Sequence, residues 1–335
     1  MGGHIVVAPG SINIDLILRT DSLKGPKTFM GHYRESQGGK GSNQAVAARL
    51  AAGRKRNVYL VGCVGRDAWG EQAVAKLEDR GVNTTHVRTT DQAPTGVVME
   101  YLYGDGEVTI GLGLGANSEV MVADIEGARP EIEAASVLLC QIENPLPTLQ
   151  RAVEVGQSNG TVICLDPSVV PEPGPGRDLF FSRVLPHVDI VAPNRSEALA
   201  LTGVEVTGDA SALEAARALL QTVPVAIVTR SSDGALIARG DDHYFARGHR
   251  VAAIDGGAAG DTFRGAFGAA LAEAVERCGQ GLMDLPFEAL AGALDLANAA
   301  AALCVTRAGA YPSIPERADI DAFMTQHPAG DHPTG

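Results

Sequence analysis

The stretch Asp255-Gly256-Gly257-Ala258-Ala259-Gly260-Asp261-Thr262-Phe263-Arg264-Gly265-Ala266 carries the residue types needed to handle an anion. Glycines and alanines fill residues 256–260 and leave the backbone nearly bare. Apolar residues then recur at helical spacing (Phe263, Ala266, Phe267, Ala270, Leu271, Ala274), which predicts a helix opening here. Bare backbone at a helix start turns several N–H groups outward at the positive end of the helix dipole, a place suited to phosphate. Asp261 falls in the first turn and admits two readings. It is an N-cap for the helix, or a general base beside an anion hole formed by Ala258 to Gly260.

A second glycine-rich loop, Gln37-Gly38-Gly39-Lys40-Gly41-Ser42-Asn43-Gln44, runs into an alanine-rich helix. The GxxxxGK[ST] spacing of a triphosphate loop is absent. Asn43 offers one donor and one acceptor, which suits the hydroxyls of a neutral polyol. Nearer the N-terminus, Asn13 and Asp15 alternate with Ile12, Ile14 and Leu16, so both polar groups face one side of an extended segment. Further on, Asn194-Arg195-Ser196-Glu197 has the spacing of a capping box.

The elements that must position these groups alternate along the chain. Strands are predicted at His4 to Ala8, Ser136 to Gln141, Thr161 to Leu165, Val188 to Ala192 and Val225 to Thr229, with helical stretches between and a Pro/Gly-rich loop at Val170 to Gly176. That order predicts an α/β fold, doubly wound on a mostly parallel sheet, with ligands outside the carboxyl ends of the strands. A hairpin signal stands at Tyr103-Gly104-Asp105-Gly106.

Asn13-Ile14-Asp15, Gly38 to Ala45 and Ala258 to Asp261 together resemble the ribokinase-like (PfkB-type) sugar kinase family. Gly62-Cys63-Val64-Gly65-Arg66-Asp67-Ala68-Trp69-Gly70 is similar to the family's VGxVGxDxxG segment, and the likeness runs from about Val6 to Phe323. The resemblance implies one kinase domain over residues 1–324, with a small β-sheet lid from about 12–37 and 95–115; the Pro/Gly/His-rich composition of 325–335 predicts a disordered tail. It implies ATP-dependent phosphorylation of a pentose, D-ribose at its 5-hydroxyl; another sugar or nucleoside kinase, or a sugar-binding regulator without turnover, stays open. In that reading Asp261 is the base, and Gly260 and Ala259 supply N–H groups. Asn13, Asp15, Gly39, Lys40, Asn43 and Glu143 bind the sugar. Asn194, Thr229, Gly234, Gly260 and Asn298 contact the nucleotide. Asn194 and Glu197 hold Mg²⁺ through water. Asp255 and Ser313, with the carbonyls of Gly257, Cys304, Arg307 and Gly309, wrap a monovalent cation, K⁺. The resemblance also implies a homodimer formed through the lid.

Three departures stand out. Gly256 and Gly257 stand where the family commonly has threonine or another β-branched residue, which predicts a more mobile loop. Ser231 occupies a place where the family has glycine in Thr-x-Gly-x-x-Gly, a substitution that costs energy if the backbone there needs a positive φ. Arg264 follows Asp-Thr-Phe where the family often has Asn, three residues after Asp261. Its guanidinium could hold Asp261 ionised, touch phosphate or favour another sugar.

Composition bounds the alternatives. The 335 residues include 27 basic and 40 acidic side chains, a net charge of −13, which argues against a nucleic-acid partner. The 5 cysteines are scattered without CxxC spacing, so neither a zinc site nor a disulfide framework is indicated. No signal-peptide pattern and no apolar run of membrane-spanning length is read, and the expected location is the cytoplasm.

Overall fold

A computed structural model describes residues 3–20, 30–53, 56–103, 108–279 and 281–327. In chain order the first strands are β1 (His4–Val7), β2 (Asn13–Thr20), β3 (His32–Gly38), β4 (Val58–Gly65), β5 (Asn83–Thr90), β6 (Gly96–Tyr103) and β7 (Val108–Gly113). They continue as β8 (Ala135–Gln141), β9 (Val162–Asp166), β10 (Ile190–Val191), β11 (Val225–Thr229), β12 (Ala235–Arg239) and β13 (Asp242–Ala246). Among the described residues, nine of these form one sheet in the order β13-β12-β11-β10-β9-β8-β1-β4-β5. Pairing is parallel from β5 through β11 and antiparallel at β12 and β13. Near-continuous apolar runs such as Val137-Leu138-Leu139-Cys140 are what a sheet covered on both faces requires. Successive residues serve opposite layers: Ile5 and Val7 join the core under the helices Lys40–Ala52, Ala259–Cys278 and Phe287–Cys304, whereas Val6 and Ala8 join the one under Leu146–Gln157 and Asp209–Leu219.

The helix Phe287–Cys304, 18 residues with a mean hydropathy of 1.3, is long and apolar enough to cross a membrane, against the expectation that no run reaches that length. Its Leu290, Leu294, Ala297 and Ala300 are buried in the protein core, which accounts for the composition.

A separate four-stranded sheet, β3-β2-β6-β7, is the lid. Strands β2 and β6 pair in parallel, and β6 and β7 pair antiparallel up to Leu102 opposite Val108. The expected hairpin therefore joins β6 to β7; residues 104–107 of its turn, like residues 21–29 of the expected lid segment, lie outside the described residues. The last helix, Arg317–Gln326, extends past the boundary expected at residue 324, with Phe323 edge-on to His249 and tilted against His327. Residues 328–335 of the expected tail lie outside the described ones.

Candidate active site

The helices Lys40–Ala52 and Ala259–Cys278 lie against each other with almost no space between their backbones. A Cβ on Gly265 would come within 2.5 Å of both the Ala47 side chain and the Gln44 carbonyl. This close approach carries Asn43 and Gln44 onto Asp261. Asn43 Nδ2 donates to Asp261 Oδ2 at 2.9 Å, and Gln44 Nε2 donates to Asp261 Oδ1 at 3.2 Å. Asp261 is 6% exposed. The residue at the N-cap position is Ala258, and no side chain caps the helix, so the N-cap reading of Asp261 is not the one adopted. Its oxygens are turned onto two amides instead.

Burial pushes the Asp261 carboxyl up; the Lys40 ammonium opposes the shift and the Asp166 carboxylate adds to it. Lys40 is itself half-buried. Desolvation pulls its ammonium down, but Asp261 and Asp166 outweigh that and raise it on balance. The N–H of Ala259, expected to face an anion, donates here to the Gly256 carbonyl at 3.2 Å. A tight turn into the helix takes that donor, leaving the first-turn N–H of Gly260 for the role.

The residues expected to bind the sugar lie around this carboxylate. Gly39 precedes the helix at φ 93°, and a Cβ there would meet the Ser11 carbonyl at 2.7 Å, so only glycine suits the turn. Ser11 Oγ donates to Glu143 Oε2 at 2.6 Å and accepts from the Gly41 N–H at 3.2 Å, which ties Glu143, just beyond β8, to the glycine loop. Asn117 Nδ2 donates to Asn13 Oδ1 at 2.7 Å, leaving the Asn13 NH₂ as the donor end. Asp15 Oδ1 and Asn43 Oδ1 are buried without a hydrogen-bond partner among the described residues. Two orphaned acceptors beside Asp261 are what a polyol would satisfy. The Asp15 carboxyl is pushed up to about 7, first by burial and then by Glu100, Asp261 and Glu143.

Among the residues expected to contact the nucleotide, Asn194 forms with Glu197 the capping box read from their spacing. Asn194 Oδ1 accepts from the Glu197 N–H at 2.9 Å, and Glu197 Oε2 accepts from the Asn194 N–H at 2.9 Å. Thr229 ends β11, with its N–H on the Pro193 carbonyl at 2.9 Å. Ser231 does adopt a positive φ, 57°, and the turn closes through the Gly234 N–H on its carbonyl at 3.0 Å. Asn298 does not face solvent; its amide donates to the Arg247 carbonyl and joins the helix Phe287–Cys304 to the segment after β13.

The two halves of the expected cation loop meet. The Ile254 N–H donates to the Val305 carbonyl at 2.7 Å, and the Gly309 N–H to Asp255 Oδ2 at 3.1 Å. Ser313 is buried and donates to the Ala310 carbonyl at 2.7 Å. The Asp255 carboxylate also accepts from the Gly257 N–H at 3.0 Å, so main-chain donors hold both of its oxygens. Arg34 of β3 also reaches Asp255 Oδ2, at 3.3 Å, so the lid already sets one cation on this carboxylate.

Arg264 does not pair with Asp261. Its Nη2 lies 3.1 Å from Asp166 Oδ1, 3.4 Å from Glu197 Oε2 and 2.8 Å from the Ala192 carbonyl. Asp166 is a site residue that the sequence reading left at the end of a strand without a role, and so are Gln44 and Gln141. Gln44 Nε2 reaches Asp166 Oδ2 at 2.9 Å as well as Asp261, while Gln141 Nε2 holds Gln44 Oε1 at 2.8 Å. The available signal was position: each polar residue ends a buried strand or opens a helix.

Comparison with known proteins places this geometry in context. The family described as "pfkB family carbohydrate kinase" matches residues 4–317. A ribokinase of Haemophilus influenzae is 33% identical over 319 residues, covering 94% of this chain and 96% of its own. The structure of ribokinase from Giardia lamblia superposes with a TM-score of 0.86 at 27% identity, over 97% of this chain and 99% of that one. That of Arabidopsis thaliana ribokinase complexed with ribose and ATP gives 0.81 at 27% identity, with the same coverage.

Proposed function

The chain belongs to the pfkB family of carbohydrate kinases, and from that premise we propose that it transfers the γ-phosphoryl group of ATP to the 5-hydroxyl of D-ribose. The observation that carries this reading is the pair of orphaned oxygens, Asp15 Oδ1 and Asn43 Oδ1, set beside a buried carboxylate at a helix N-terminus. Asn13, Asp15, Gly39, Lys40, Asn43 and Glu143 hold the sugar hydroxyls. Asp261 accepts the proton of the attacking hydroxyl as the new P–O bond forms, and ADP departs with the electron pair of the broken bond. The Gly260 N–H and the helix dipole meet the charge on the transferring group, so positioning and electrostatics supply most of the rate. Asn194, Thr229, Gly234 and Asn298 line the nucleotide side. The ribokinase names of the relatives support ribose as the sugar.

Asn194 and Glu197 satisfy one another, so they suit Mg²⁺ held through water, an ion that supplies charge neutralisation at phosphate. Asp255, Gly257, Cys304, Arg307, Gly309 and Ser313 suit K⁺. The protein acts in the cytoplasm, and a second copy packs against its lid.

An ADP-release assay over a sugar panel tests the reading. Ribose should give the highest kcat/KM, and fructose or adenosine ahead of ribose would reject it. The same assay in K⁺, Na⁺ and Li⁺ should show activation by K⁺ and little by Na⁺ or Li⁺, lost in Asp255→Ala; equal rates in all three remove K⁺ from the account.

A further inference from the structure

Arg264 sits four residues after Gly260 on the helix Ala259–Cys278, and helical side chains lean back toward the N-terminus. The bare Gly260 leaves room for it: Arg264 Nη1 lies 2.9 Å from where a Cβ on Gly260 would stand. The residue is 8% exposed. Its Nη2 is fixed by Asp166, Glu197 and the Ala192 carbonyl, whereas Nη1 has no acceptor among the described residues and Nε is buried and unpartnered. The guanidinium is therefore anchored at one nitrogen and uncommitted at the edge that lies over the helix N-terminus.

Charge gives that edge a task. Asp166, Glu197 and Asp261 are all buried here, and an ATP γ-phosphate adds further negative charge. Lys40 and Arg264 are the cations that bear on Asp261. A guanidinium needed only to neutralise Asp166 and Glu197 could turn more than one nitrogen onto them; here the nearest approach to each carboxylate is through Nη2. We propose that Arg264 is a catalytic residue, its Nη1 donating to an oxygen of the transferring phosphoryl group beside the Gly260 N–H. The bond to the sugar hydroxyl oxygen forms, the bond to the β-phosphate oxygen breaks, the proton passes to Asp261, and Arg264 stays protonated throughout.

The inference rests on the kinase reading and is tested so that the two fail separately. Arg264→Lys keeps a positive charge for Asp166 and Glu197 but loses the planar edge over Gly260. Its kcat should fall on the order of 10²–10³-fold, the usual worth of one donor to a developing oxyanion, with sugar KM nearly unchanged. Calorimetric affinity for ADP with aluminium fluoride should fall by a similar factor, while affinity for ADP alone shifts only a few-fold. A variant that keeps both its kcat and its fluoride-complex affinity overturns the assignment, and so does one that loses ADP and fluoride-complex affinity equally. Should Arg264→Lys fail to fold, a crystal structure of the unaltered protein with ADP, aluminium fluoride and sugar decides. Nη1 at about 3 Å from a fluoride supports the role, and Nη1 beyond hydrogen-bond reach ends it. Lack of sugar turnover by the unaltered protein would count against the kinase reading alone, because the fluoride-complex affinities are compared without turnover.

Discussion

Asp261 and Asp15 are carboxyls raised by burial, yet they call for opposite experiments. If Asp261 is the base proposed above, the isosteric change Asp261→Asn separates chemistry from scaffolding. Asn43 Oδ1 is unpartnered, so a flipped Asn43 amide can meet the new NH₂. The variant should keep its melting temperature within a few degrees and still bind sugar, while kcat falls on the order of 10²–10⁴-fold. Retention of most of the kcat would remove the base assignment. At Asp15 the shift is a statement about stability. Its folded value of about 7 lies above the model-peptide value of 3.8, so the folded state binds the proton more tightly. The stability this proton brings is present below the unfolded value and is lost as pH rises through about 7. An amide is neutral at every pH, so Asp15→Asn should melt above the unaltered protein at pH 8, with the gain fading toward pH 4. Melting curves across that range check it; a difference independent of pH would show that the charge is not the cause.

Between elements, the decisive fact is how closely two helices pass. Gly265 is what lets the helices Lys40–Ala52 and Ala259–Cys278 bring Asn43 and Gln44 within hydrogen-bond distance of Asp261. Gly265→Val puts branched carbon where the Gln44 carbonyl and Ala47 stand. Overpacking of this kind costs about 1–3 kcal/mol and shifts backbone. Activity should drop by more than the folded fraction accounts for, measured as kcat per folded enzyme at a temperature well below melting. A fully active, equally stable variant would contradict the argument. This packing also marks where sequence reading reached its end. The strand order of polar and apolar residues, the two glycine loops and the Asn194–Glu197 cap were legible because each rests on local spacing. The partners of Arg264 were not: Asp166 and Glu197 are distant in sequence, and only the sheet order brings β9 beside β10. Spacing along one helix pointed Arg264 toward Asp261, whereas tertiary pairing took it elsewhere. Ser231 is the converse case, where a missing glycine alone anticipated the positive φ that the turn adopts.

At the scale of the whole molecule, the lid carries an apolar row that is exposed among the described residues. Register places Val108, Ile110 and Leu112 of β7 opposite Leu102, Glu100 and Val98 of β6, and Val98 in turn opposite Asp15 of β2. Opposed residues share a face, so this apolar row lies on the side of the sheet that carries Asp15 and Arg34. Ile110 is nevertheless 62% exposed, with Val108 and Leu112 also open to solvent. Three branched side chains in a row at the rim of a binding cleft are a poor surface for a monomer in water. Packing the lid of a second copy across them would bury the row and steady the sheet that holds Asp15. Ile110→Asp should therefore convert a dimer to a monomer in light scattering, and it should raise sugar KM more than it lowers kcat, because Asp15 lies on the lid and Asp261 does not. A protein already monomeric at assay concentration would defeat the dimer proposal. An Ile110→Asp dimer with unaltered KM would show that the row serves neither assembly nor the cleft.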